Sequence, residues 1–330
     1  MSNETIQSAE PGAPATTAEQ SSAPASEPVE TAVRDCGFQA TLTALTGLQG
    51  RLKKILLEPD SLPSFKDEIV SASTELCEIV AGNPDASLFH LMHDSAGRFA
   101  IYSVTHALRC AVVCKLVAER MEWSHQQRDS LVLAALTMNI GMAKLQGELA
   151  MQTTPLSPAQ RQEIDIHPKK SVELLQKLGI SDSDWLRAIQ EHHDAPDSKG
   201  PAPFELAELL RQIDIFMAKL QGRSTRKPMP VNHAVRDMFA GNRDNRFATA
   251  VIKVFGLYPP GIFVLLANGE TAIVVARGEA VDKPIVKSIA SKFSESSFQP
   301  VRRDTADPRF KVVSIVNQTN VMARVDPARL

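Results

Sequence analysis

No stretch of the chain is apolar for the roughly eighteen residues that a membrane-crossing helix needs. The N-terminus has no basic segment followed by an apolar one, so no secretory leader is expected. Cysteine is scarce. The four present, Cys36, Cys77, Cys110 and Cys114, lack the spacing of a disulfide framework, and a chain of 330 residues does not need one. A reduced, cytoplasmic protein is therefore expected. Excess charge of one sign is also missing. Lys and Arg total 36 against 38 Asp and Glu, a formal net charge of −2, so the totals give no basis for a nucleic-acid-binding surface. The length suits two or three folded units.

Residues 1–35 contain no aromatic residue and are rich in Ser, Ala, Pro, Thr and Glu. Such a segment buries too little apolar surface to offset its ordering entropy, and a disordered tail is expected. From 36 to 96 the pattern turns helical: Phe38, Leu42, Leu45 and Leu48 share a face, and Phe65–Val80 reads as a second helix. His90 and His93 in this segment suit a loop or a satisfied core better than a metal. Residues 97–256 read as a larger helical domain, and 257–330 as a small β module. The module starts with the break Tyr258-Pro259-Pro260-Gly261 and a hairpin of Ile262–Ala267 and Thr271–Ala276 turning at Asn268-Gly269, followed by β-like pieces at Pro284–Ile289 and Lys311–Val316.

Within the helical domain, polar groups recur on or beside apolar faces. Tyr102, His106, Cys110, Val113 and Val117 line one face of a helix over about Ala100–Met121. A zinc site of His106, Cys110 and Cys114 is excluded, because i to i+8 covers about 12 Å while every ligand must lie about 2.0–2.3 Å from one ion. The cysteines are read as small core residues. Leu131–Thr137 is a buried helix with Gly141 as its stop. Ser157-Pro158 starts another helix, and His167-Pro168 reads as a separate start, with His167 just ahead of the helix. From Ser183 onward, Trp185, Ile189 and His193 fall at i, i+4, i+8 of a helix that Pro196 is expected to end, so His192 and His193 flank its apolar face. Such imidazoles need partners, either a metal ion or backbone carbonyls and water. Asp214 borders the stripe Leu206, Leu210, Ile213 and Met217, where a carboxylate is costly unless paired or on a metal. Arg223, Arg226 and Lys227 follow, either a phosphate-binding cluster or a solvated loop.

Several pieces then stand in order: Ala134-Ala135-Leu136 before Ile140-Gly141, Leu156-Ser157, His167-Pro168, His192-His193 with Asp197, and Asp214 before Arg223. Over roughly residues 97–230 this order resembles the HD-GYP branch of the HD phosphohydrolase superfamily. The resemblance implies a mainly α architecture: an HD-type helical bundle, preceded here by a helical segment and followed by the small C-terminal β module, which looks like an extension found in some such proteins. It implies hydrolysis of cyclic di-GMP at a two- or three-metal site.

The departures bear on the chemistry. The family's His-Asp pair falls on Met138-Asn139, and an amide is a poor bridge between two cations. The motif's lysine falls on Met142, with Lys144 nearby, and the glutamate that ligates in three-metal members falls on Tyr102. Asp197 and Gly200 match the Gly-Tyr-Pro loop, but Pro201 and Ala202 stand at its Tyr and Pro positions. Arg223 matches the arginine of the Arg-Pro-Tyr segment, while Ser224 and Thr225 depart from it.

Carried over, His167, His192 and His193 form an intact three-imidazole site for a divalent Fe, Mn or Zn ion. His106 and Asp214 are the remains of a second site. Arg223, Arg226 and Asp197 face the substrate, and Asn139 and Lys144 are the candidates for a catalytic role. The expected function is a degenerate metal-dependent phosphohydrolase domain in cyclic di-GMP-type signalling, binding or regulatory with impaired hydrolysis. Its partners are then a cyclic dinucleotide or other phosphate ligand and a signalling protein. One alternative is an active phosphodiesterase using the three histidines, and another is a metal-free scaffold.

Overall fold

The computed structural model describes residues 29–93, 101–194, 204–240, 244–290 and 300–316. The expected tail up to residue 28 lies outside them. Helix α1 (Val29–Leu57) starts ahead of residue 36, where the tail was expected to end. No proline or glycine interrupts the run from Val29 to Cys36, so nothing stops a helix there. Helix α2 (Phe65–Gly82) is capped by the Ser64 hydroxyl, which accepts from the Asp67 amide, and buries Phe65, Ile69, Leu76 and Val80. Helix α3 (Pro84–His93) carries His90, which is buried, and His93, which stacks on Phe89 with ring centroids 5.1 Å apart. Neither joins a metal-ligating group among the described residues.

Helix α4 (Tyr102–Arg120) is buried on all sides from Tyr102 to Ala118. Around it pack α5 (His125–Thr137), α6 (Ala143–Met151), α9 (Glu205–Leu220) and α11 (Arg246–Phe255). Helices α7 (Pro158–Lys177), α8 (Ser183–Glu191) and α10 (Val231–Phe239) complete the bundle. Among the described residues no helix is long and apolar enough to cross a membrane.

Two sequence expectations need correcting. His167 does not precede a helix, because α7 runs unbroken from Pro158 and holds Pro168 in its interior. Gly141 does not stop α5, which ends at Thr137, nor does it adopt a positive φ. It belongs to a single 3₁₀ turn, Ile140–Met142, and is small because α7 presses on it. A Cβ at 141 would lie 2.7 Å from the Ser171 nitrogen. The Ser171 hydroxyl accepts from the Gly141 amide at 3.0 Å and donates to the Met138 carbonyl at 2.8 Å. The turn at Met138-Asn139 is thereby fixed against the helix that carries His167.

The C-terminal module is a sheet of β1 (Phe263–Leu266), β2 (Thr271–Ala276), β3 (Ile285–Ala290), β4 (Val301–Asp304) and β5 (Val312–Val316). The order is β4-β3-β2-β1-β5, antiparallel throughout. The hairpin of β1 and β2 pairs Phe263 with Ile273 and Val264 with Ala272. Phe263 and Ile273 face the helices and meet Phe38, Ala86 and Phe89, while Val264, Ala272, Val274 and Val286 fill the other face. Strand β4, Val-Arg-Arg-Asp, had no alternating signature because it is a largely exposed edge strand. Gly261, at φ +96°, lets the chain pass α3, where a Cβ would lie 2.9 Å from the Phe89 carbonyl oxygen.

Candidate metal centre

Four helices bring the titratable groups together, and for His167 and His192 the local backbone aims the ring. Pro168 has no N–H, so the Ile164 carbonyl four residues earlier loses its helical donor. The His167 Nδ1 lies 2.5 Å from that oxygen. A carbonyl only accepts, so Nδ1 carries the proton and Nε2 keeps its lone pair. His192 repeats the arrangement at the end of α8, where the last carbonyls lack intrahelical partners. Its Nδ1 donates to the Ile189 oxygen at 2.6 Å.

The two Nε2 atoms then face each other at 3.4 Å. Neither has a proton to share, since both protons sit on Nδ1. His167 and His192 are buried. Burial pushes the His167 imidazole below its ordinary value, against the raising effect of the Ile164 hydrogen bond. Burial, helped by the neighbouring His193, brings His192 down to about 3. Exposed His193 completes the group, with its ring centroid 4.1 Å from His192 and 5.0 Å from His167. Ligand atoms of all three lie within 4.8 Å of one another. Two inward lone pairs at this separation repel, and a cation between them turns the repulsion into coordination. The residues fit a divalent ion.

A second group lies on α4 and α9. His106 Nε2 is 2.7 Å from Asp214 Oδ1, and its Nδ1 is 3.2 Å from the Gln221 amide oxygen. The Gln221 amide nitrogen donates to the Tyr102 carbonyl at 3.4 Å, which assigns the oxygen to His106. Burial alone would raise the Asp214 carboxyl, but the hydrogen bond and charge of His106 outweigh it and hold Asp214 at about 2. Cys110, one turn after His106, places its sulfur 3.6 Å from His106 Nε2. His106, Cys110 and Asp214 have ligand atoms within 4.8 Å of one another. Burial, reinforced by Asp214, pushes the Cys110 thiol well above its ordinary value.

Tyr102 stacks parallel to His106 with centroids 5.9 Å apart. Arg223 lies over the Tyr102 ring at 5.1 Å, and its Nε donates to the Tyr102 hydroxyl at 3.1 Å. Arg223 is therefore held beside the second group. Arg226 is not aimed at either group: its exposed guanidinium caps α9 by donating to the Ala218 carbonyl. The i+3 spacing from Arg223 closes a tight turn instead of presenting both side chains together. Asn139 is buried in the turn after α5, and Lys144 is exposed on α6. Asp197 lies outside the described residues, as do Gly200, Pro201 and Ala202.

The fold brings together His167, His192 and His193, which the sequence analysis grouped, and likewise places His106 beside Asp214. Sequence reasoning missed Cys110 as a group member, although the i+4 spacing from His106 was the available signal once Cys114 was set aside. It missed Gln221 and Ser171, which no periodic pattern marks.

Residues 101–251 match the family model described as HD domain. A cyclic di-GMP phosphodiesterase of Pseudomonas aeruginosa is 23% identical over 238 residues, covering 69% of this chain and 55% of the relative. The chain thus spans about half the length of that relative. An HDG"Y"P protein from Bdellovibrio bacteriovorus superposes with a TM-score of 0.52 at 13% identity, over 68% of this chain and 79% of that one. At that identity the likeness establishes the fold.

Proposed function

We propose that this protein is a metal-holding, phosphate-recognising module of cyclic di-GMP-type signalling with impaired hydrolysis, a reading supported by the match of residues 101–251 to the HD domain model and by the likeness to a cyclic di-GMP phosphodiesterase and an HDG"Y"P protein. The observation that carries the metal is the 3.4 Å approach of the His167 and His192 Nε2 atoms, each left without a proton because the ring donates its Nδ1–H to a backbone carbonyl. His167, His192 and His193 hold the ion, which is Fe, Mn or Zn. A bound divalent ion supplies positive charge and Lewis acidity to phosphate oxygens. Arg223, positioned by Tyr102, contacts the phosphate. The ligand is a cyclic dinucleotide, and the setting is the cytoplasm with a signalling protein as partner.

Impairment follows from the turn after α5. Met138 offers only a soft, neutral thioether, and its carbonyl is taken by Ser171, so it does not replace an imidazole ligand. Asn139 is neutral and does not bridge two cations as a carboxylate does. A second reading, an active phosphodiesterase, is favoured by the intact three-histidine group. One experiment separates them: elemental analysis of anaerobically purified protein beside a His192→Ala/His193→Ala variant, with cyclic di-GMP binding and turnover measured in Mn²⁺ and Fe²⁺. The expected result is one ion fewer in the variant, with binding but no turnover by the parent. Turnover lost in the variant would establish the active enzyme, and equal metal in both proteins would remove the metal site from these residues.

A further inference from the structure

We infer that Cys110 is a thiolate ligand in a second, chemically distinct metal site with His106 and Asp214. The inference accepts that the domain binds metal but rests on different residues. The first support is distance. Two ligands sharing one tetrahedral ion, with a metal–sulfur bond of about 2.3 Å and a metal–nitrogen bond of about 2.05 Å, stand about 3.6 Å apart. Cys110 Sγ and His106 Nε2 are 3.6 Å apart. Asp214 Oδ1 is 2.7 Å from the same nitrogen through a shared proton, and it need withdraw only roughly 0.7 Å as an ion replaces that proton.

The second support is aim. Metal-bound histidines donate their other ring N–H to an oxygen, which fixes the ligating nitrogen. Gln221 performs this service for His106, as the Ile164 and Ile189 carbonyls do for His167 and His192. Nε2 of His106 therefore points at Asp214 and Cys110.

The third support is charge. His106 and Cys110 are buried and Asp214 is half-buried, and a divalent ion held by neutral His106 and anionic Asp214 alone would leave a net positive charge in a poorly solvated site. Thiolate and carboxylate together cancel it. Position 139, where the resemblance implies a bridging aspartate, is the neutral Asn139, so Cys110 supplies the second negative charge. On binding, each ion displaces the thiol proton and the His106 Nε2 proton to solvent. A sulfur ligand selects Zn²⁺ or Co²⁺ over Mg²⁺ and Mn²⁺.

The test is titration of reduced, metal-stripped full-length protein with Co²⁺, followed by absorption. A thiolate-to-cobalt charge-transfer band in the near ultraviolet is expected at stoichiometric metal. It should persist in His192→Ala/His193→Ala and disappear in Cys110→Ser, whose native mass shows one ion fewer. The reciprocal variant Cys36→Ser/Cys77→Ser/Cys114→Ser retains Cys110 as the sole thiol and should keep the band, which covers the case in which Cys110→Ser does not fold. No band in the parent at stoichiometric Co²⁺, or an undiminished band in folded Cys110→Ser, overturns the inference. Loss of metal from the three-histidine site with the band intact would instead overturn only the reading of His167, His192 and His193.

Discussion

Pro168 aims the ring of His167. By lacking an N–H it leaves the Ile164 carbonyl open, and His167 Nδ1 takes the place of the missing donor at 2.5 Å. Pro168→Ala restores the competing amide. The helix should gain stability, since an interior proline costs about 3 kcal/mol, while metal affinity at the three-histidine group should fall about tenfold. Thermal melts of the stripped protein and chelator competition with Zn²⁺ measure the two effects, which should move in opposite directions.

Acid should destabilise the metal-free protein more than its surface charges would suggest. The folded His192 titrates near 3, against about 6.5 in the unfolded chain, and His167 is shifted the same way. Between these values the unfolded state binds more protons, so stability is complete above about pH 6.5 and declines as pH falls toward 3. From pH 6.5 to 5 the loss from His192 should be on the order of 2 kcal/mol. Urea denaturation in chelator at both pH values checks this, and His192→Ala should flatten the dependence.

Gly141→Ala should destabilise the fold by about 1–3 kcal/mol, because the added methyl meets α7 backbone at 2.7 Å. Urea unfolding should show a lower midpoint with an unchanged slope. Metal affinity should drop too, since the turn at Met138-Asn139 loses its seat on Ser171.

The two arginines should separate. Arg223→Ala should weaken cyclic di-GMP binding about tenfold, the loss of one charge-assisted contact. Arg226→Ala should leave affinity within about twofold and instead lower the melting temperature slightly, because Arg226 caps α9. Isothermal titration of both variants distinguishes the roles.

What the sequence revealed was periodic. Apolar stripes at helical spacing located the bundle, and polar residues interrupting those stripes, His106, His167, His192, His193 and Asp214, were the ones the fold gathers. Proline and glycine were misread where their use was tertiary. Pro168 has the signature of a helix start, yet the helix tolerates it because a side chain takes the orphaned carbonyl. Gly141 has the signature of a stop, yet it is small for a neighbour thirty residues away in sequence. Contacts of that kind leave no local pattern. Cys110 was dismissed for the company of Cys114, because one extra helical turn makes a shared ion impossible while the first turn permits it.

Phe38, Phe89 and Phe263 meet in one small cluster, although they come from α1, α3 and β1. The helical bundle lies between the second and third of them along the chain. The cluster therefore forms only after the bundle has brought its two flanks together, and closing so long a loop delays the step kinetically while adding little to its thermodynamic cost. Docking of the sheet is thus a late folding event that reports on completion of the bundle. A nascent chain halted before β1 would expose the faces of Phe38 and Phe89 to quality-control machinery.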